Sequence, residues 1–135
     1  MGELIDSSVI IALERRGLGV TALLAIVPDE PAALASITAA ELLTGVHRAD
    51  TAERRTRRKA FVEDVLEQFP VLPVDLDVAR IYARIWAQLA MEGRMIGMHD
   101  LLIAATALAH GYTVVTDNVR EFERVPGLVV RRPAW

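Results

Sequence analysis

Five acids stand where a carboxylate can do chemistry: Asp6, Glu41, Asp100, Asp117 and Glu121. Several carboxylates in one crevice repel one another and lose hydration, so they must share protons or bind a cation. Oxygen-only ligands select a hard ion, Mg²⁺ or Mn²⁺. Rival chemistries lack their residues. The chain has no cysteine and only three histidines, and it carries no Walker-type glycine loop and no zinc-ligand spacing. Asp6-Ser7-Ser8 lacks the second acid, two residues on, that a phosphoaspartate-forming phosphatase would need. Each acid also has a simpler reading. Asp6 could cap a helix beside Ser7 and Ser8, and Asp100 could cap another. Thr38-Ala-Ala-Glu41 fits the capping box, and Asp117-Asn118 suits a turn. Caps gather on one edge of any parallel sheet, so clustering alone does not separate the readings.

The elements that must position these acids are organised around Leu101 to His110, an almost unbroken apolar helix with Asp100 at its mouth. A helix apolar on nearly all sides is buried. Gly111 stands where a terminating glycine is expected, and Thr113 to Thr116 then reads as a buried strand. Earlier, Glu3 to Asp6 is a strand, Ser7 to Arg16 a helix, and Val20 to Val27 a helix stopped by Pro28 and Pro31. Ala33 to Ile37 is a weak strand. Thr38 opens a helix to His47, and Asp50-Thr51 starts another that Pro70 ends. Val71 to Val74 is a strand whose internal Pro73 suggests a sheet edge. Asp77 caps a helix to Glu92, with Val78, Ile81, Tyr82, Ile85, Trp86 and Leu89 at helical spacing; a loop follows, Gly93 to His99. Asp117 to Phe122 is a turn or short helix, and Leu128 to Val130 a last strand. Strands alternating with helices predict an α/β fold with a largely parallel sheet, whose binding crevice lies at the carboxyl ends of the strands. The five acids fall at that edge.

The totals are consistent with this. The chain of 135 residues favours a single domain spanning 1–135. Hydrophobic residues make up 53% and the mean hydropathy is +0.30, so a real core forms and disorder is excluded. No signal peptide and no apolar stretch of about 20 residues is visible, so a cytoplasmic protein with no membrane association is expected. The net charge of −3 argues against a generally basic nucleic-acid binder, but six cations lie between Arg48 and Lys59.

Four stretches together resemble a known family. They are Leu4-Ile-Asp6-Ser-Ser-Val-Ile-Ile11, Ile37-Thr-Ala-Ala-Glu41-Leu-Leu-Thr-Gly-Val46, Ile96-Gly-Met-His-Asp100-Leu-Leu-Ile-Ala-Ala-Thr-Ala107 and Val115-Thr-Asp117-Asn-Val-Arg-Glu121-Phe122. In order and spacing the chain resembles a PIN-domain ribonuclease of the VapC toxin type. The resemblance implies a three-layer α/β/α sandwich around a mostly parallel sheet of four to five strands. It implies a Mg²⁺-dependent endoribonuclease, with Mn²⁺ as a substitute, silenced by a VapB-type antitoxin. Asp6, Glu41 and Asp100 fall on the family's acidic positions, with Asp6 and Asp100 as the main metal ligands. For the fourth acid we favour Asp117, with Glu121 as its competitor; Asn118 could orient a carboxylate or the phosphate.

A hydroxyl from Ser7, Ser8 or Thr116 could position the phosphate, although capping is the simpler role for each. RNA must be drawn by cations outside an acidic crevice. Arg54, Arg55, Arg57, Arg58 and Lys59 are candidates, with Arg120 and Arg94 nearer the acids in sequence; a solvated helix face is the rival reading of the run. His99 should project away from Asp100 and reads as a loop residue, and Tyr82 and Trp86 as core or dimer packing. The resemblance further implies a homodimer and an antitoxin lying along the helices of the N-terminal third, with a cation placed in the crevice. The stretch Asn118 to Leu128 resembles members that cut initiator tRNA, which makes a tRNA the first substrate to test. The alternatives are a PIN-like RNA-binding or assembly protein that keeps its acids as caps, and a housekeeping PIN nuclease without an antitoxin.

Overall fold

The computed structural model describes residues 2–27 and 31–135. In chain order the elements are β1 (Glu3–Ile5), α1 (Ser7–Arg15), α2 (Val20–Ile26), β2 (Ala32–Ala35), α3 (Ser36–His47) and α4 (Ala52–Gln68). There follow β3 (Val71–Leu72), α5 (Leu76–Glu92), α6 (Met98–His110), β4 (Thr113–Val115), α7 (Val119–Phe122) and β5 (Val130–Arg131). The strands form one sheet in the order β3-β2-β1-β4-β5, every pairing parallel. Pro73 follows an edge strand, as its missing amide requires. No helix among the described residues is long and apolar enough to cross a membrane.

The sheet is buried on both faces, which is why its strands are apolar without alternation. Leu4 pairs with Ala33 and Val114, and these three share one face with Ile85, Leu89, Leu101, Ile103, Ala104 and Ala107 of α5 and α6. Ile5, Leu34 and Val115 project to the other face, into a core with Val9, Ile10 and Leu13 of α1, Leu23 of α2, Leu42 and Val46 of α3, and Val62 and Val65 of α4. Burying Leu4 and Ile5 on opposite sides is worth roughly 1.5–3 kcal/mol each and pins the register of β1, since a one-residue slip would exchange the two cores.

Several boundaries differ from the sequence reading. β2 ends at Ala35 and α3 begins at Ser36, so Thr38 is not an N-cap. Its hydroxyl is fully buried and has no hydrogen-bond partner among the described residues. The capping box read from Thr38 and Glu41 is therefore not formed. α5 is capped by Asp75, whose carboxylate accepts from the Val78 amide at 3.0 Å, rather than by Asp77. α6 starts at Met98 behind Gly97, which places His99 and Asp100 in its first turn instead of in the preceding loop and at the cap. Its end is as expected. Gly111 adopts φ 69°, a left-handed conformation that glycine takes without strain, and the Tyr112 amide closes back on the Ala107 carbonyl at 2.8 Å. The last strand is Val130–Arg131, not Leu128 to Val130. Pro28, read as a helix stop, lies outside the described residues.

A pair not anticipated from the sequence joins the first and last strands. Glu3 is buried, and Arg131 forms an ion pair with its carboxylate through Nε and donates from Nη2 to Oε1 at 2.8 Å. The same Nη2 donates to the Ile26 carbonyl at 2.9 Å, which ties the end of α2 to both strands.

Candidate active site

The strand order runs outward from β1 in two directions, through β2 and β3 on one side and β4 and β5 on the other. At such a reversal the chain leaves adjacent strands toward opposite faces and opens a crevice. Asp6 follows β1 there, and Thr116 follows β4. The backbone welds the two ends together: the Asp6 amide donates to the Val115 carbonyl at 2.9 Å.

Asp6 occupies the N-cap position of α1 but caps nothing with its side chain. Instead its Oδ2 accepts hydrogen bonds from Ser8 Oγ at 2.7 Å and Thr116 Oγ1 at 2.8 Å. With only 2% of its surface exposed, this carboxylate is aimed and immobilised rather than merely tolerated. The hydroxyls also set the following loop. The Asp117 amide donates to Ser8 Oγ at 3.2 Å, and the Asn118 amide to Thr116 Oγ1 at 2.9 Å.

Asp100, half-buried in the first turn of α6, faces other acids. Its pKa is pushed from 3.8 up to about 7, first by burial, then by a hydrogen bond with Glu121, then by the negative charges of Asp6, Glu121 and Glu41. In its protonated state Asp100 donates to the Glu121 carboxylate. The helix N-terminus pulls the other way and favours the anion, so repulsion and burial win against the dipole. Of the two contenders for the fourth acid, Glu121 is therefore the one brought onto Asp100. Asp117 is half-buried beside the site, contributes its amide to Ser8, and its carbonyl accepts from Arg132 Nη1 at 3.1 Å. Asp117, the acid favoured from the sequence, is not the one that meets Asp100: one turn of α7 brings Glu121 there instead.

Glu41, on the second turn of α3, faces the same place. Its Oε1 accepts from Ser7 Oγ at 3.3 Å, and its Oε2 lies 3.4 Å from His99 Nδ1. The reading of His99 as a loop residue is corrected by the earlier start of α6. Had Gly97 been read as the cap, His99 and Asp100 would both have been placed in the first turn. Thus Asp6, Glu41, Asp100 and Glu121 are brought together, none of them satisfying a helix end with its side chain. Among the described residues, no three His, Asp or Glu side chains are drawn together tightly enough to ligate one ion as they stand. Asp100 leans on Glu121, Asp6 on its hydroxyls, and Glu41 on Ser7 and His99.

The cations lie apart from the acids and are mostly engaged. Arg54 pairs with Asp50 at 2.9 Å, and Arg55 donates to the Ala49 carbonyl at 3.1 Å. Arg58 donates to the Gly45 carbonyl at 3.1 Å and pairs with Glu14 at 3.4 Å. Arg57 and Lys59 are exposed on α4, and Arg94 and Arg120 are exposed near α6 and α7. A cavity of about 710 Å³ runs between α1, α3 and α4; Ile11, Ile37, Phe61 and Val62 line it, Arg15 and Arg48 border it, and Glu41 and His99 stand where it meets the acids. Sequence reasoning also missed Trp135, whose ring lies 4.2 Å under the Arg16 guanidinium.

Residues 4–128 match the family model described as PIN domain. The chain is 42% identical over 130 residues to a protein of Rickettsia felis named ribonuclease VapC1, covering 96% of this chain and 95% of that one. It is 39% identical over 95 residues, 70% of each chain, to a protein of Salmonella typhimurium named tRNA(fMet)-specific endonuclease VapC. Among solved structures, the DNA-bound VapBC complex of Salmonella typhimurium contains a chain that superposes with a TM-score of 0.86 at 28% identity, covering 98% of both. A match to the family model over nearly the whole length, together with relatives 39–42% identical, places the chain in the PIN-domain family, among the VapC ribonucleases.

Proposed function

We propose that this protein is the toxin of a toxin–antitoxin pair and acts as an endoribonuclease that hydrolyses RNA phosphodiester bonds in a Mg²⁺-dependent reaction. The observation that carries this is Asp100: a carboxyl at the N-terminus of the most buried helix, held protonated up to about pH 7 by burial and the surrounding acids. An arrangement that costs stability and serves no cap is what a cation site requires. The donor set suits the ion, since it is all oxygen and its crowded charges are what a divalent cation neutralises. Asp6 and Asp100 would hold Mg²⁺, or Mn²⁺ in its place, which would polarise the scissile phosphate and lower the pKa of a bound water. Asp6 is fixed by Ser8 and Thr116. As a ligand, Asp100 would first have to give up its proton, to Glu121 or to solvent. Glu41 accepts the proton of the attacking water. Arg57, Lys59 and Arg120 hold phosphates away from the acids, giving affinity without sequence information.

The relatives' names and the stretch Asn118 to Leu128 together favour a tRNA as substrate. The cavity between α1, α3 and α4, with an apolar floor of Ile11, Ile37, Phe61 and Val62 and a charged rim, is suited to a helix of a VapB-type antitoxin whose end reaches Glu41 and the acids. A second copy would pack on the exposed side of α5 that carries Trp86, which is half exposed while Tyr82 packs against the core. The test is cleavage of purified tRNA with mapped ends. Wild type is expected to cut at a discrete site only with Mg²⁺ or Mn²⁺, and Asp6→Asn and Asp100→Ala to lose at least about 100-fold in rate. Cleavage that persists in Asp6→Asn, or in EDTA, would sink the reading.

A further inference from the structure

Glu41 differs from the other acids in how it is held. Asp6 is short and takes two close hydroxyls, whereas Glu41 has three side-chain torsions and two long contacts, Ser7 Oγ at 3.3 Å and His99 Nδ1 at 3.4 Å. Each contact takes a different carboxylate oxygen and comes from a different helix, α1 and α6. The capping box that would otherwise have fixed the side chain is absent, since α3 starts at Ser36. From this geometry we infer that His99 is a positioning residue of the nuclease site: its imidazole, with Nδ1 turned to Glu41 Oε2 at 3.4 Å, holds Glu41 in the rotamer that aims the carboxylate at the attacking water. The inference rests on the function proposed above.

The arrangement has a mechanical logic. His99 and Asp100 are consecutive in the first turn of α6. One rigid helix end therefore supplies a carboxylate to the site and fixes the direction of a second carboxylate on α3. Nothing else reaches Glu41 Oε2 among the described residues, so without the imidazole this oxygen has only solvent to hold it. A general base works only within hydrogen-bond reach of its proton, and displacement by about 1 Å can cost about 100-fold. His99 itself is mostly exposed, so its removal leaves the core intact.

The experiment replaces His99 with Ala, Asn and Gln in the full chain and compares single-turnover rates and KM on the mapped tRNA. An asparagine amide nitrogen overlays Nδ1, whereas a glutamine nitrogen overlays Nε2. His99→Ala is expected to lower kcat by about 10- to 100-fold with KM within about twofold. His99→Asn should recover most of that loss and His99→Gln little of it. In a Glu41→Gln background, His99→Ala should cause no further loss. A merely structural histidine would not tell Asn from Gln. An unchanged kcat in His99→Ala, equal behaviour of Asn and Gln, or a loss carried by KM would each overturn the inference, the last by showing that the imidazole meets RNA directly. Imidazole ¹⁵N shifts supply a readout that does not need activity. The Nδ1 resonance should mark a hydrogen-bonded proton in wild type and move in Glu41→Gln; no movement overturns the inference. If wild-type cleavage is insensitive to Asp6→Asn, the nuclease reading fails instead, and the shifts still decide whether His99 holds Glu41.

Discussion

At the scale of single residues, the site is a place where the protein works against itself. Asp100 keeps its proton in the folded state between its ordinary 3.8 and about 7, a range in which the unfolded chain has already lost it. Its contribution to stability is therefore full below pH 4 and is lost as pH rises through about 7. Asp100→Asn removes that loss. Its thermal midpoint without added metal should match wild type near pH 4 and exceed it by a few degrees at pH 8, as read by calorimetry, while cleavage disappears. Metal binding should release about one proton near pH 6.5, seen as a buffer-dependent heat. Glu121→Gln is expected to lower the Asp100 pKa toward its ordinary range, because it removes a negative charge and an acceptor, and to reduce the cleavage rate more than Asp117→Asn does. A larger effect from Asp117→Asn would restore that residue as the fourth acid.

At the scale of elements, the sequence revealed the type and order of every helix and strand but not the starts of the helices that carry function. That Asp6, Glu41 and Asp100 share one edge was legible because apolar strands and a glycine-terminated helix fix where the sheet's carboxyl edge must lie; their reading as a site rather than as caps came from the resemblance. The caps were misread for a physical reason: Thr38, Asp77 and Asp100 are good capping residues that lie two or three residues past the true caps Ala35, Asp75 and Gly97. Tertiary packing of β2 against β1 decided the start of α3, and local propensity lost. The choice between Asp117 and Glu121 was not legible, since it depends on how α7 folds back on α6. The misplaced Thr38 also leaves a testable trace. Its buried, unpartnered hydroxyl makes no compensating bond, so Thr38→Val, which keeps the shape, should raise stability by about 1 kcal/mol in a urea titration with unchanged slope.

At the scale of the molecule, two cores share one sheet, and the last strand is fastened to the first by Arg131 and Glu3. Arg131→Met should destabilise by about 3 kcal/mol, because it strands a buried carboxylate; adding Glu3→Gln should recover much of the loss. Sequence reading could not find this pair, since the partners are 128 residues apart and each is unremarkable alone.

The Asp6–Thr116 hydrogen bond has a consequence in time. Asp6 follows the first strand of the sheet, yet one of the two hydroxyls that aim it comes 110 residues later in the chain, and Glu121 later still. A nascent chain lacks an assembled site until Glu121 has been made. An RNA-cutting protein built in this order is inert while the segment between Asp6 and Glu121 is being translated, which leaves a partner made alongside it time to be waiting.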